Sequence, residues 1–196
     1  MPTTPRRDAT APLGQRFNLF AECVLVGLVV TLACLPLVTW VGGVAAGCRW
    51  LRRYLDGGRG GVRSFAADLR AVLPGTLGIA LAGAGVLALV ALDVAVATSG
   101  IPGGAPLAAV LGLLVVPLLL SQLRAAATWE LGVPWWVQWR AALVRTVTDP
   151  VGSALLLAAV VLVVVAAWQL LPLVVPALGC LTMAALAVER RAAARA

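Results

Sequence analysis

Long apolar stretches alternate along this chain with short segments that carry almost all of its charge. The apolar stretches cover residues 17–48, 75–98, 105–123 and 151–188. A membrane-spanning helix needs about 20 consecutive apolar residues, because the hydrocarbon core of a bilayer is about 30 Å thick. The chain is 62% hydrophobic and 12% charged, whereas soluble domains are about 45–50% apolar and about 25% charged. The pattern therefore predicts an all-α, polytopic transmembrane helical bundle.

Two of the apolar stretches are too long for a single span. At about 1.5 Å per residue, a helix over 17–48 would measure about 48 Å and one over 151–188 about 57 Å. Pro36 interrupts the first stretch, and Thr39 is suited to cap a new helix. A turn at 169–172 divides the second stretch, so each of the two stretches is predicted to form a pair of helices.

The result is a prediction of six transmembrane helices between two cytosolic tails. The helices cover 17–35, 38–54, 75–98, 105–124, 151–169 and 172–189, and the tails cover 1–16, which is expected to be disordered, and 190–196. A five-helix alternative keeps 17–48 as one tilted span.

The segment 49–74 is the most charged part of the chain, and we call it the first elbow. It begins with RWLRRYLDGGRGG, in which basic residues precede a glycine-rich turn. Phe65, Leu69 and Val72 then recur at helical spacing, which predicts a short amphipathic helix at the membrane interface. Pro74 is expected to end this helix and to start the next span.

The segment 124–150, the second elbow, is rich in tryptophan. Trp135, Trp136 and Trp139 are expected to share one face of a helix at the headgroup level, beside arginines. Stacking of nucleic-acid bases on these rings is the alternative, but the neighbouring spans place the rings at lipid, so no nucleic acid is expected as a partner. The Asp-Pro pair that ends in Pro150 is a good start for the following helix.

The two elbows show a weak internal sequence repeat, which we call the internal echo. Arg49, Gly57 and Pro74 are matched by Arg124, Gly132 and Pro150, at offsets of 75, 75 and 76 residues. Each unit would be a helix that reaches the cytosol, a basic elbow and a helix that leaves, which is a parallel repeat of the kind some carriers have. Chance matches in a chain rich in alanine and leucine are the other interpretation.

The distribution of arginine decides the predicted topology. All 15 basic residues are arginine, and the net charge is +7. With six spans, every arginine lies in a cytosolic tail or elbow, whereas five spans would place the N-terminal arginines outside. The positive-inside rule therefore favours six spans. This predicts a multi-pass plasma-membrane protein with both termini cytoplasmic, in contact with anionic headgroups.

Glu22 and Asp93 are the only acidic residues within the predicted spans. Carboxylates inside a membrane are candidates for proton or ion sites. Each of these two lies about one helical turn from the end of its span, so we interpret both as interfacial, with the proton or ion site as the alternative. They lie near opposite faces of the membrane, which makes a shared site a poor hypothesis.

The residue types used for catalysis and metal binding are almost absent. The chain has no His and no Lys, and its 4 cysteines are scattered without a CxxC pair. The glycine-rich run 57–61 lacks the Lys and the following Ser or Thr of a phosphate-binding loop. We therefore predict no catalytic residue, no cofactor and no metal site, and we do not expect an enzyme.

The first elbow and the run before it resemble the YesL family of bacterial integral membrane proteins, whose molecular function is unknown. The matching residues are Glu22, the run Cys34-Leu35-Pro36-Leu37-Val38-Thr39, the run Ala45-Ala46-Gly47-Cys48-Arg49, and Phe65 with Asp68-Leu69-Arg70. Genes of this family often lie near carbohydrate uptake systems. The resemblance therefore implies an accessory subunit that associates with a partner such as a sugar ABC permease.

Three functional hypotheses follow from these patterns. The first is the accessory subunit, with the basic elbows as the docking surface. The second is a small oligomeric carrier or channel that uses Glu22, and the third is a structural membrane scaffold. The candidate functional residues are Glu22, Asp93, Arg49, Arg52, Arg53, Asp68 and Arg70, and the candidate structural or interfacial residues are Pro36, Thr39, Pro74, Trp135, Trp136, Trp139 and Pro150.

Overall fold

The computed structural model describes residues 13–36, 38–58, 60–98 and 104–194, and this part of the chain folds as α-helices without a β-strand. The helices are α1 (Leu13–Cys34), α2 (Trp40–Leu55), α3 (Val62–Thr98), α4 (Gly104–Thr128), α5 (Trp135–Thr148), α6 (Pro150–Gln169) and α7 (Val174–Ala193), with a 3-10 turn at Leu171–Leu173 before α7. Most of the predicted N-terminal tail and the end of the C-terminal tail lie outside the described residues.

Three stretches are long and apolar enough to cross a membrane. Among the described residues they are Phe17–Cys34, Val62–Val86 and Pro150–Gln169. The clearest case is α6, where Gly152 and Leu156 are the buried residues and Trp168 is 89% exposed. A helix that is apolar on all sides but buried on one narrow strip fits a lipid environment. The chain is thus a helical membrane protein, as the hydrophobic pattern predicted.

The central helix of the bundle is α2, which packs against α1, α3, α4 and α7. Its residues 41–48 are all buried, and Gly42, Gly43 and Gly47 lie among them. A Cβ atom on Gly47 would come within 2.6 Å of the Val30 side chain, so glycine permits the close approach of α1. Because other helices surround residues 41–48 of α2, this helix contacts protein and needs only a short uncharged stretch to be buried.

Among the described residues, the most extensive contact between two helices is that of α1 with α7. A Cβ atom on Gly27 would collide with the Val175 carbonyl oxygen, and one on Gly179 would collide with the Cys23 carbonyl oxygen. These neighbours are backbone atoms that cannot rotate away. The two glycines therefore set the separation of the helices, as small residues do at interfaces between membrane helices.

The predicted break at Pro74 is wrong, because α3 runs through this residue without interruption. A proline removes one helical N–H and crowds the carbonyl of the preceding turn. The carbonyl that loses its N–H partner is that of Arg70, four residues before Pro74. The Thr76 hydroxyl does not replace this partner, because it lies 3.2 Å from the Val72 carbonyl oxygen and 3.4 Å from that of Leu73. A proline inside a membrane helix is nevertheless tolerated where neighbouring helices pack against it. The interfacial segment and the span therefore form one helix.

The prediction for Pro150 is confirmed, since it opens α6 directly after Asp149. Pro36 lies in the turn between α1 and α2. Thr39 occupies the position before α2, but its side chain makes no capping hydrogen bond. Its hydroxyl donates instead to the Ala33 carbonyl oxygen at the end of α1. Thr39 is therefore the N-cap residue of α2, as predicted, but its side chain links the end of α1 to the start of α2 and does not cap the helix.

The predicted common face of the three tryptophans in α5 is also wrong. Trp135 is buried in the bundle, whereas Trp136 is exposed. Trp139 lies between them in direction and packs on Trp136, with ring centroids 5.6 Å apart. Successive helical residues point about 100° apart, because a turn contains 3.6 residues. Neighbouring residues such as Trp135 and Trp136 thus face different surroundings.

Candidate functional site

The two elbows meet at one end of the bundle, which we call the basic end. The Arg52 guanidinium of α2 donates to the Ala127 carbonyl oxygen at the end of α4. Arg190 near the end of α7 pairs with Asp56, just after α2, at 2.9 Å. The last turns of α2, α4 and α7 and both elbows therefore lie side by side.

Asp68 in α3 holds two arginines of the first elbow. Its carboxylate is buried and lies 2.7 Å from Arg53 and 3.5 Å from Arg49. The Arg49 guanidinium also lies over the Trp129 ring, 5.3 Å from its centroid, which is the geometry of a cation–π contact. These contacts join α2 to α3 and to the loop after α4. The two arginines and Asp68 therefore have structural roles, and a further role for them stays a prediction.

A second and more deeply buried cluster surrounds Arg124 in α4. Its side chain is 0% exposed. One terminal nitrogen lies 3.1 Å from an Asp149 carboxylate oxygen and 3.3 Å from the Ser153 hydroxyl. The other lies 3.2 Å from Glu189 Oε1 in α7. A buried guanidinium is tolerated only when it is paired and hydrogen-bonded in this way.

Arg145 in α5 extends the cluster. It lies 3.2 Å from Glu189 Oε2 and donates to the Thr128 hydroxyl at 3.1 Å. Glu189 thus bridges two arginines with its two carboxylate oxygens. We call Arg124, Arg145, Asp149 and Glu189 the four-charge cluster, and it ties together α4, α5, α7 and the start of α6.

Asp149 has a favourable electrostatic environment at the N-terminus of α6. Its carboxylate accepts the backbone N–H of Gly152 at 3.0 Å. This hydrogen bond, followed by the one from Arg124, lowers the pKa of Asp149 below its ordinary value, because both contacts stabilise the ionised form. Asp149 is therefore a carboxylate at neutral pH.

A cavity of about 550 Å³ opens beside the four-charge cluster. The four charged residues of the cluster line it together with Thr128, Thr148, Ala192 and Ala193. A smaller cavity of about 360 Å³ lies beside Arg49, Arg52 and Arg53. Both cavities are at the basic end, and charged side chains of the described residues line each of them.

Glu22 is anchored by a tryptophan. Its carboxylate accepts the indole N–H of Trp50 at 2.6 Å. Trp50 is 1% exposed, and its ring lies 6.2 Å from that of Phe65. A buried indole N–H needs an acceptor, and Glu22 supplies it. Whether Glu22 also binds a proton or an ion stays a prediction.

The other candidates are not brought together with Glu22. Asp93 lies in α3, but its side chain is outside the described part of the structure. Arg70 is exposed on α3, as is Arg63. No group of three or more potential metal ligands occurs among the described residues.

Sequence reasoning missed the four-charge cluster. It considered Arg124 as the counterpart of Arg49 in the repeat and as one of the cytosolic arginines, and it considered Arg145 as one of the arginines of the second elbow. It treated Asp149 and Glu189 only as helix ends. One signal was available, since Arg124, Asp149 and Glu189 all lie at cytosolic ends of predicted spans and hence at the same membrane depth. Their pairing at distances of 25 and 65 residues along the chain required the fold.

No protein-family model, no curated protein and no solved structure matches this chain.

Proposed function

We propose that the chain crosses the membrane six times, with both termini and the basic end in the cytosol. The support is that both elbows and the end of α7 meet at one end of the bundle, together with the positive-inside rule. Reporter-enzyme fusions at Gly58 and after residue 194 are expected to show cytosolic activity, and fusions within 99–103 external activity. An external reporter signal at Gly58 would contradict this topology.

We further propose that the protein is an accessory subunit of a membrane system, with carbohydrate uptake as the system that the YesL resemblance implies. The observation that supports this proposal is that the arginines of the basic end fall into two groups, one engaged in contacts within the fold and one exposed. Arg52 and Arg53 are engaged within the fold, whereas Arg63, Arg70 and Arg191 are exposed. Exposed arginines can meet an acidic partner surface, and electrostatic complementarity then guides docking.

The choice of variants follows from this difference between engaged and exposed arginines. Charge reversal at Arg52 or Arg53 would remove contacts that hold the elbow, so its effects on binding and folding could not be separated. Arg63→Glu with Arg70→Glu changes the exposed surface instead. A variant of similar size without charge reversal, Arg63→Lys with Arg70→Lys, serves as the matched control.

The test is an affinity purification of the tagged protein from native membranes in mild detergent, followed by mass spectrometry. We expect near-stoichiometric recovery of a sugar permease or its ATPase with the wild-type and lysine proteins, and loss of that recovery with the glutamate protein. Recovery of this chain alone, as a defined oligomer, would contradict the proposal. It would direct attention to the carrier hypothesis and to solute flux with Glu22→Gln in proteoliposomes.

A further inference from the structure

Three arginines of the first elbow line the smaller cavity and keep accessible hydrogen-bond donors. Arg49, Arg52 and Arg53 lie in the last turns of α2, at a spacing that places them on one face of the helix. Nε of Arg49 and Nη2 of Arg53 pair with Asp68. Nη2 of Arg52 donates to the Ala127 carbonyl oxygen. The other guanidinium nitrogens of these arginines have no acceptor among the described residues, and none of these atoms is enclosed. They are therefore available to a ligand.

The size and the walls of this cavity suit a small ligand. Its volume is about 360 Å³, and ligand pockets usually measure about 300–1,000 Å³. The side chains of Arg49 and Arg53 are 23% and 31% exposed, so the contacts with Asp68 do not bury them. Leu131 and Trp129 add an apolar wall. Accessible donors and an apolar surface thus border the same space.

The charges around the cavity do not cancel. The three arginines contribute three positive charges, and the buried Asp68 compensates one of them. Asp56 also lines the cavity, but it pairs with Arg190 at 2.9 Å. The exposed Glu130 can compensate one further arginine. One positive charge is left without a carboxylate among the described residues, so the ligand that completes the site carries a single negative charge.

The arrangement of the donors favours a phosphodiester over a carboxylate. A carboxylate has its two oxygens in one plane, and a single guanidinium fork can satisfy both of them. A phosphodiester also carries one negative charge, but its oxygens form a tetrahedron and can accept from several guanidinium groups at once. We propose that this cavity binds a glycerophosphodiester, either as the headgroup of phosphatidylglycerol or as its deacylated, soluble form. Basic pockets between membrane helices are known to bind anionic headgroups.

The charge of the site predicts discrimination between two lipids that share the phosphodiester. The non-bridging phosphate oxygens accept from the free N–H groups of Arg52 and Arg53, and the glycerol carbons lie against Leu131. Phosphatidylcholine offers the same oxygens, but its quaternary ammonium cancels the negative charge. Phosphatidylglycerol should therefore bind more tightly.

The experiment uses the full chain, purified in detergent and stripped of lipid. Native mass spectrometry measures the retention of dioleoyl phosphatidylglycerol and dioleoyl phosphatidylcholine, and of soluble glycerophosphoglycerol in a separate arm. We expect a preference of about fivefold for phosphatidylglycerol, the effect of one basic residue on an anionic lipid. Binding of this lipid alone assigns the site to a membrane lipid, binding of the soluble diester alone assigns it to a soluble ligand, and binding of both assigns it to the phosphodiester group itself.

Two variants with opposite expected effects locate the site. Arg52→Gln removes one positive charge and its donors from the cavity, and it should lower retention about tenfold. Glu130→Gln removes a carboxylate whose residue makes only backbone hydrogen bonds, to Gln138, and it should raise retention about twofold to fivefold. A purely structural role of these residues would not produce such a gain.

The matched control is Arg63→Gln. It removes the same charge from an exposed position of the same elbow that does not line the cavity, so retention should stay close to that of the wild-type protein. Thermal unfolding measured by circular dichroism shows whether each variant is folded.

Four results would overturn the proposal. They are the absence of binding by both phosphatidylglycerol and the soluble diester, retention of the two lipids to the same measurable extent, equal behaviour of Arg52→Gln and Arg63→Gln, and unchanged or lower retention by Glu130→Gln. Because this assay contains no partner protein, its outcome is independent of whether a permease is recovered in the affinity purification.

Discussion

Replacing Arg124 by leucine tests whether the four-charge cluster holds the bundle together. The arginine side chain is completely enclosed and lies within 3.2 Å of carboxylate oxygens of Asp149 and Glu189. Removing one partner of a buried ion pair costs about 3–5 kcal/mol, because the other charge stays buried without compensation. Glu189 keeps its contact with Arg145 at 3.2 Å, so we expect the lower part of this range, about 3 kcal/mol.

The measurement is reversible unfolding in mixed micelles with a rising fraction of dodecyl sulfate, followed by far-ultraviolet circular dichroism. The control is Arg140→Leu, which removes an arginine that is exposed and lies over the Trp136 ring at 5.2 Å. An exposed cation–π contact contributes about 0.5–1 kcal/mol, so the control should lose no more than this. If Arg124→Leu loses less than about 1 kcal/mol, the cluster behaves like a set of surface ion pairs, and its assignment as a structural centre fails.

Two further predictions concern helix packing and the tryptophan anchor. Gly179→Ala should lower the unfolding midpoint in the same micelle assay, because its Cβ would collide with the Cys23 carbonyl oxygen, whereas Gly78→Ala, which has open space around its Cβ, should leave the midpoint unchanged or raise it. Equal midpoints for the two alanine variants would contradict the close packing of α1 and α7. Glu22→Leu leaves the buried indole N–H of Trp50 without its acceptor, at a cost of about 1–3 kcal/mol, while Glu22→Gln keeps an acceptor oxygen and should cost less. Equal losses of stability and equal tryptophan fluorescence in these two variants would show that the hydrogen bond is unimportant.

The helical membrane fold could be predicted because its signal is local. Apolar runs of span length mark α1, α3 and α6 without any knowledge of tertiary contacts. The turn after α6 was also within reach, since a run of 38 apolar residues, 151–188, exceeds the thickness of a bilayer. Each of these features depends on residues that are neighbours in the sequence.

The errors arose where the outcome depends on contacts between helices. Pro74 does not break α3, because a helix packed against α2 and α4 can tolerate one missing hydrogen bond. Trp135 is buried rather than interfacial because it faces the rest of the bundle. The cluster around Arg124 depends on carboxylates from two other segments. None of these contacts leaves a periodic trace in the sequence.

Two of the three matched positions in the elbows have similar conformations or contacts in the structure. Gly57 and Gly132 both have left-handed backbone conformations, with φ of 81° and 85°, so each elbow turns on a residue that only glycine adopts readily. Arg49 lies 3.5 Å from Asp68. Its counterpart Arg124 lies 3.1 Å from Asp149. In each elbow the matched arginine therefore reaches forward to an acid in or after the elbow helix.

The two elbows differ in what precedes the proline. Asp149 before Pro150 can accept the N–H of Gly152, so it caps a new helix and the chain breaks there. Leu73 before Pro74 has no such acceptor, and the helix continues. Asp149 also pairs with Arg124 at 3.1 Å, and a charged cavity lies beside this pair at the second elbow. The residue before each proline thus distinguishes the elbow in which the helix continues from the elbow in which a new helix begins.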